Sequence, residues 1–216
     1  MTIFGNAFLL VYAALFPIVN PVGSAPLFLG LTEFCTVEQR KVLVLKVALN
    51  SALLLLGSMF IGSHVLEFFG ISLPAVRIGG GLVVTSFGWK LLNSEPSPDA
   101  AHANQAGGST EPDSFYPLTM PLTVGPGSIA VAITLGSQRP KAADIGQWLL
   151  LGGAALAGVI AIAITIYLCY RFAQRVVEML GPSGTQVVIR LSAFILVCIG
   201  IEILWSGWSE LSNLPR

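Results

Sequence analysis

The constraint that dominates this chain is the length of its apolar runs. Residues 42–65, 73–92, 145–170 and 187–208 each form an almost unbroken apolar stretch. About 20 such residues suffice for a helix to cross the roughly 30 Å hydrocarbon core of a bilayer. Two further runs are long enough but interrupted. The first covers residues 3–19, breaks at Asn20-Pro21-Val22-Gly23, and resumes over 25–31 before a polar turn, 32–41. The other covers 117–135 and contains Pro117, Pro121, Gly125, Pro126 and Gly127. Prolines without N–H groups and loosely held glycines preclude one regular helix there.

The composition agrees: 54% of residues are hydrophobic and only 10% charged, against roughly 25% charged in a soluble domain. Eleven basic residues balance eleven acidic ones. With no Lys/Arg cluster to neutralise a phosphate backbone, nucleic acid is excluded as an expected partner. Cys35, Cys169 and Cys198 are scattered and form no Cys-x-x-Cys, so neither a disulfide framework nor a zinc site is expected. The first run has no basic segment before it and no small-residue cleavage site after it, and is expected to stay as a membrane helix.

The expected fold is thus an all-α membrane protein of about six transmembrane helices. Residues 1–93 form a first three-helix unit and 117–216 a second, each opening with a broken helix. The polar, Lys- and Arg-free stretch 94–116 reads as a flexible linker. Aligning Pro21 with Pro126 sets the two breaks against each other, and Gly70 to Arg77 then falls opposite Gly181 to Arg190. Three spans per half is an odd number, so two such halves must lie inverted, as in many secondary transporters. With the N-terminus outside, seven basic residues (Arg40, Lys41, Lys46, Lys90, Arg171, Arg175, Arg190) fall on the cytoplasmic side and four outside. The positive-inside rule therefore favours both termini outside.

Irregular backbone at membrane depth survives only where protein buries it or water wets it. The two breaks are therefore the candidate substrate site: Asn20, Pro21 and Gly23 in the first half, Gly125, Pro126 and Gly127 in the second. Half-helix N-termini suit a carboxylate and exposed carbonyls suit a cation, so a zwitterion fits both. Asn20 either orients a substrate or caps the following half-helix. Arg77 and Arg190, near their helix starts, either snorkel to headgroups or face inward, pairing with substrate, Glu67 or Glu202. Glu202, well within a predicted span, is a weak candidate for proton coupling. Gly79 to Gly81, Ser58 with Gly62, and Ala154 with Gly158 supply small residues for close helix packing. No catalytic constellation, metal cluster or phosphate loop is present in the pattern, so neither an enzyme nor a cofactor is expected.

The segment Asn20-Pro21-Val22-Gly23-Ser24-Ala25-Pro26-Leu27-Phe28-Leu29 resembles the opening signature of the MarC family, also called UPF0056, of bacterial and archaeal membrane proteins. Phe69 to Gly81 and Pro117 to Ile129 look like two further hallmarks of the same family, with Gly79 and Thr119 standing where Ala is expected and Glu202 where Gln is common. The resemblance implies a six-span protein of the bacterial inner membrane with the variable linker in the cytoplasm. Some relatives are described as neutral amino acid transporters, so the resemblance implies a secondary transporter of small solutes. A non-transporting membrane protein with a partner-binding or stress-response role is the alternative, and a lipid-handling enzyme or scramblase ranks last. The expected partners are the bilayer and a small solute, with a homo-oligomer left open.

Overall fold

The computed structural model describes residues 3–93, 113–138 and 145–212, and among them every element is helical, with no strand. The expected linker, 94–116, lies largely outside the described residues. Helix α1 (Ile3–Val19) and α2 (Pro21–Leu31) meet at a 41° bend. They are followed by α3 (Val37–Phe68) and α4 (Leu73–Asn93). A wide turn at Leu118–Thr123 leads into α5 (Pro126–Ser137), then α6 (Ile145–Arg171) and α7 (Ala173–Ser212). Helices α3, α6 and α7 are long and apolar enough to cross a membrane, and the bent pair α1–α2 makes a fourth candidate.

Three boundaries differ from the sequence expectation. The first break is narrower than the four residues expected, because only Asn20 leaves the helical region, while Pro21 to Gly23 already belong to α2. Proline at the first helical position loses nothing, since its missing N–H would find no helical acceptor there. Helix α3 begins inside the expected polar turn 32–41. A reciprocal capping box starts it: Gln39 N–H donates to the Thr36 hydroxyl at 3.2 Å, and Thr36 N–H to the Gln39 side chain at 2.8 Å. Its 32 residues span about 48 Å, longer than the hydrocarbon core. The polar stretch between the last two apolar runs, 171–186, is itself partly helical: residues 173–180 and 182–212 of α7 flank Gly181. Gly181 takes φ 66°, a region open to glycine, and Pro182 starts the second segment.

The packing follows a pattern across the halves. Helix α3 lies against α5 and α6 against α1, while α4 meets α5 and α7 meets α2. The broadest contact joins α4 to α7 as an antiparallel pair with little between the backbones. A Cβ on Gly81 would sit 2.7 Å from the Gly200 carbonyl oxygen, and one on Gly200 would sit 2.6 Å from the Thr85 nitrogen. Without a hydrophobic force between helices in lipid, this close approach is how they gain dispersion energy. Gly62 and Gly158 also face neighbours across helix interfaces, Ile133 and Val11.

The core runs through Leu15, Val19, Phe28, Leu55, Met59, Ile162 and Ile166, all 2% exposed or less. Large apolar side chains such as Leu53, Ile61, Leu149, Ile164 and Phe194 point outward, a surface that hydrocarbon rather than water accommodates. Exposed Trp89, Trp148, Trp205 and Trp208 sit near helix ends, the level at which amphipathic rings meet headgroups.

Gly79 contrasts with its neighbours, since a Cβ there meets open space. Gly200→Ala should therefore cost about 1–3 kcal/mol through backbone overpacking. Gly79→Ala should be neutral or stabilising by up to about 1 kcal/mol from helix propensity. Denaturant titration of the purified chain in detergent distinguishes the two, and equal costs would contradict the packing described.

Candidate functional site

The two breaks are built by different local chemistry. At the first, Asn20 adopts the left-handed conformation (φ 48°, ψ 54°) that its short amide tolerates better than most side chains. Its side-chain oxygen accepts the Gly23 N–H at 3.2 Å, and its carbonyl accepts the Ser24 hydroxyl at 3.0 Å. Of the two roles open to Asn20 from sequence, capping is realised in the geometry. Gly23 is required to be small, because a Cβ would meet Ser192 Cβ of α7 at 2.7 Å.

At the second break, Pro121 has no N–H to offer the Pro117 carbonyl, so the next residue, Leu122, donates to it at 3.3 Å. The hydrogen-bond register slips by one residue and the turn widens: Val124 N–H likewise reaches the Thr119 carbonyl at 2.8 Å. Hydroxyls take up further carbonyls. Thr119 donates to the Ser114 oxygen and Thr123 to the Leu118 oxygen, both at 2.7 Å. Helix α5 then begins at Pro126 with Gly125 as its extended cap and no side chain accepting from its first turn. Its leading N–H groups are an uncapped positive dipole end.

Tertiary folding brings the two breaks to one cavity, with about 490 Å³ of empty space including its open mouth. Asn20 and Ser24 line it from the first break. Thr123, Gly125, Pro126, Gly127 and Ser128 line it from the second, and Val84, Phe87 and Leu196 of α4 and α7 complete the wall. None of its lining residues carries a formal charge. The polar groups are Asn20 and the hydroxyls of Ser24, Thr123 and Ser128, set in an apolar surround, the usual composition of a small-solute site.

The remaining sequence candidates lie elsewhere. Pro21 and Gly23 are buried next to the cavity but do not line it. Arg77 forms an ion pair with Glu210, near the end of α7, rather than with Glu67 or Glu202. Arg190 and Glu202 are exposed on α7. The structure therefore gathers Asn20, Gly125, Pro126 and Gly127 at one place and separates Arg77, Arg190 and Glu202 from it.

Sequence reading overlooked Tyr170. It lies in the last turn of α6, is 1% exposed, and stacks on Phe28 of α2 with centroids 4.5 Å apart. Its hydroxyl is hydrogen-bonded to the Thr123 hydroxyl at 2.8 Å. One side chain therefore ties the second break, through Thr123, to α2, through the stack on Phe28. The signal in the sequence was faint: a single Tyr at the end of an apolar run, where interfacial aromatics are common. Tyr170→Phe keeps the ring stack and deletes the Tyr170–Thr123 bridge. We expect a loss of about 0.5–1.5 kcal/mol in stability in detergent, with coupling of similar size to Thr123→Val in a double-mutant cycle. Strict additivity would show that the bridge is not energetically shared.

Comparison with known proteins places this arrangement. Residues 5–212 match the family described as "MarC family integral membrane protein". The chain is 29% identical over 203 residues to the "UPF0056 inner membrane protein MarC" of Salmonella typhimurium (strain LT2), covering 91% of each chain. It is 30% identical over 204 residues to the protein of that name from Citrobacter koseri, again covering 91% of each. The Escherichia coli O1:K1 / APEC protein of the same name is 29% identical over 203 residues. No solved structure gives a significant match. The family match takes in every helix described above but for the first two residues of α1, so this chain belongs to the MarC family of integral membrane proteins.

Proposed function

We propose that this chain is a secondary transporter of small solutes, with neutral amino acids as the leading class, acting in the bacterial inner membrane. The observation that carries the reading is the shared cavity, in which two helix breaks from opposite halves of the chain supply the polar lining. The uncapped start of α5 offers N–H groups to a carboxylate, and the uncharged wall suits a solute of no net charge. The lining holds no acid, base or thiol, which supports passage of a solute rather than its chemical turnover.

In this reading the chain has six spans in two inverted three-helix repeats, with both termini outside. Two features support it. With α2 matched to α5, exchanging the halves maps α3–α5 packing onto α6–α2, and α4–α5 onto α7–α2. Gly70 and Gly181, at aligned positions ahead of the third helix of each half, share positive φ values of 65° and 66°. The relatives' printed name, an inner membrane protein, supports the location.

The test is uptake of radiolabelled Gly and Ala into proteoliposomes under imposed proton or sodium gradients, with protein-free vesicles as the control. Saturable, gradient-dependent uptake is expected, reduced roughly tenfold by Asn20→Ala, a loss equivalent to about 1.4 kcal/mol of site energy. Size-exclusion profile and helical content must stay unchanged in that variant. No uptake above protein-free vesicles by folded protein in either orientation would sink the amino-acid reading and favour a non-transporting, partner-binding role.

A further inference from the structure

A second pocket, away from the cavity between the breaks, lies where α2 and α6 end and α3 and α7 begin. It has about 330 Å³ of empty space including its open mouth, and its charged lining is basic: Arg40, Lys41 and Arg171, with Gln174 beside them. No carboxylate lines it.

Arg40 is fixed in place. One guanidinium nitrogen donates to the Thr32 carbonyl at 2.8 Å and another to the Gln174 side-chain oxygen at 3.4 Å. Its Nε is buried and has no hydrogen-bond acceptor in the protein. A buried, unsatisfied donor on a permanent cation is costly, and its natural remedy is an anionic oxygen. Lys41 and Arg171 extend the donor set at exposed positions. The nearest counter-charge is Glu38, which contacts Lys41 at 3.4 Å with its side chain 79% exposed. Nearby Glu178 accepts from the Gln174 amide at 2.9 Å, and Glu33 is exposed in the preceding turn.

The surroundings place this pocket at an interface with lipid. Val37, Phe34 and Phe172, at the same helix ends, expose 56%, 74% and 45% of their surface. Basic side chains next to exposed apolar ones at helix ends match the depth at which headgroup phosphates lie. Guanidinium and ammonium donors together suit the oxygens of a phosphate group.

We propose that this pocket binds a phosphate group, supplied in the bilayer by the headgroup of an anionic phospholipid. The assignment is independent of transport and does not involve the cavity at the breaks.

The experiment uses the full chain purified in neutral detergent, with bound lipid counted by native mass spectrometry. Three probes are added separately: phosphatidylglycerol, phosphatidylcholine and inorganic phosphate. Phosphatidylglycerol is expected to be retained preferentially. The Lys41→Gln/Arg171→Gln double variant should weaken that retention roughly thirtyfold, following the per-charge contribution of two basic residues near anionic lipid. Glu38→Gln removes the competing carboxylate and should strengthen retention several-fold, so the test survives a poorly folding double variant. Binding of inorganic phosphate that depends on the same residues, without a lipid preference, would identify the free ion as occupant and keep the phosphate site. Equal retention of the anionic and zwitterionic lipids with no phosphate binding would overturn the proposal. So would retention that neither variant changes.

Discussion

Hydrocarbon offers no hydrogen-bond partner to a peptide group, and the architecture around both breaks answers that constraint. A helix can be interrupted at membrane depth only if the freed N–H and C=O groups find partners within the protein. At Asn20 the side chain supplies one and Ser24 another. Between Pro117 and Val124 the backbone supplies them by slipping its register, with Thr119 and Thr123 hydroxyls adding to it. Prolines create the problem in the second half by removing donors, and threonines next to them relieve it. What remains uncapped is the start of α5, which faces the cavity.

Holding these breaks against each other requires a frame, and the antiparallel α4–α7 pair provides it. The backbones approach at Gly81 and Gly200 so closely that no larger residue fits between them. From that pair, Val84 and Phe87 on one side and Leu196 on the other form the wall on which both breaks rest. Tyr170 holds the second break to α6 through its hydrogen bond to Thr123, and its ring stacks on Phe28 of α2. The charged groups lie away from the cavity: Arg77 pairs with Glu210 near the end of α7, and Arg40, Lys41 and Arg171 gather elsewhere. Separating the charges from the cavity leaves a neutral polar site in the middle of the helices, which is the electrostatic basis of the solute class proposed.

Much of this was legible in the sequence because it depends on local chemistry. Run length indicates a helix at membrane depth whatever it packs against, and α3, α4, α6 and α7 fall where the apolar runs do. Pro and Gly mark interruptions through missing donors and backbone freedom, and both broken helices are where those residues lie. Element ends were less legible. A capping box extended α3 into a segment that reads as polar turn, and a helical segment formed ahead of Gly181, because hydrogen-bonding partners and not hydropathy decide where a helix stops. Asn20 was legible as a cap or a ligand, and its contact with the Gly23 N–H realises the first while the residue also lines the cavity.

The sequence by itself determined that this chain is helical, membrane-embedded and broken at two places, because those properties follow from apolar length and from residues unable to donate or to resist bending. It also carried the motifs that the family match confirms over residues 5–212. Only the tertiary structure decided that the two breaks share one cavity, that Arg77 is engaged by Glu210, and that Tyr170 hydrogen-bonds Thr123 while stacking on Phe28. These are contacts between residues tens to more than a hundred positions apart. No local propensity encodes them: they arise when glycine-lined helices pack closely enough to bring distant polar groups within hydrogen-bonding distance.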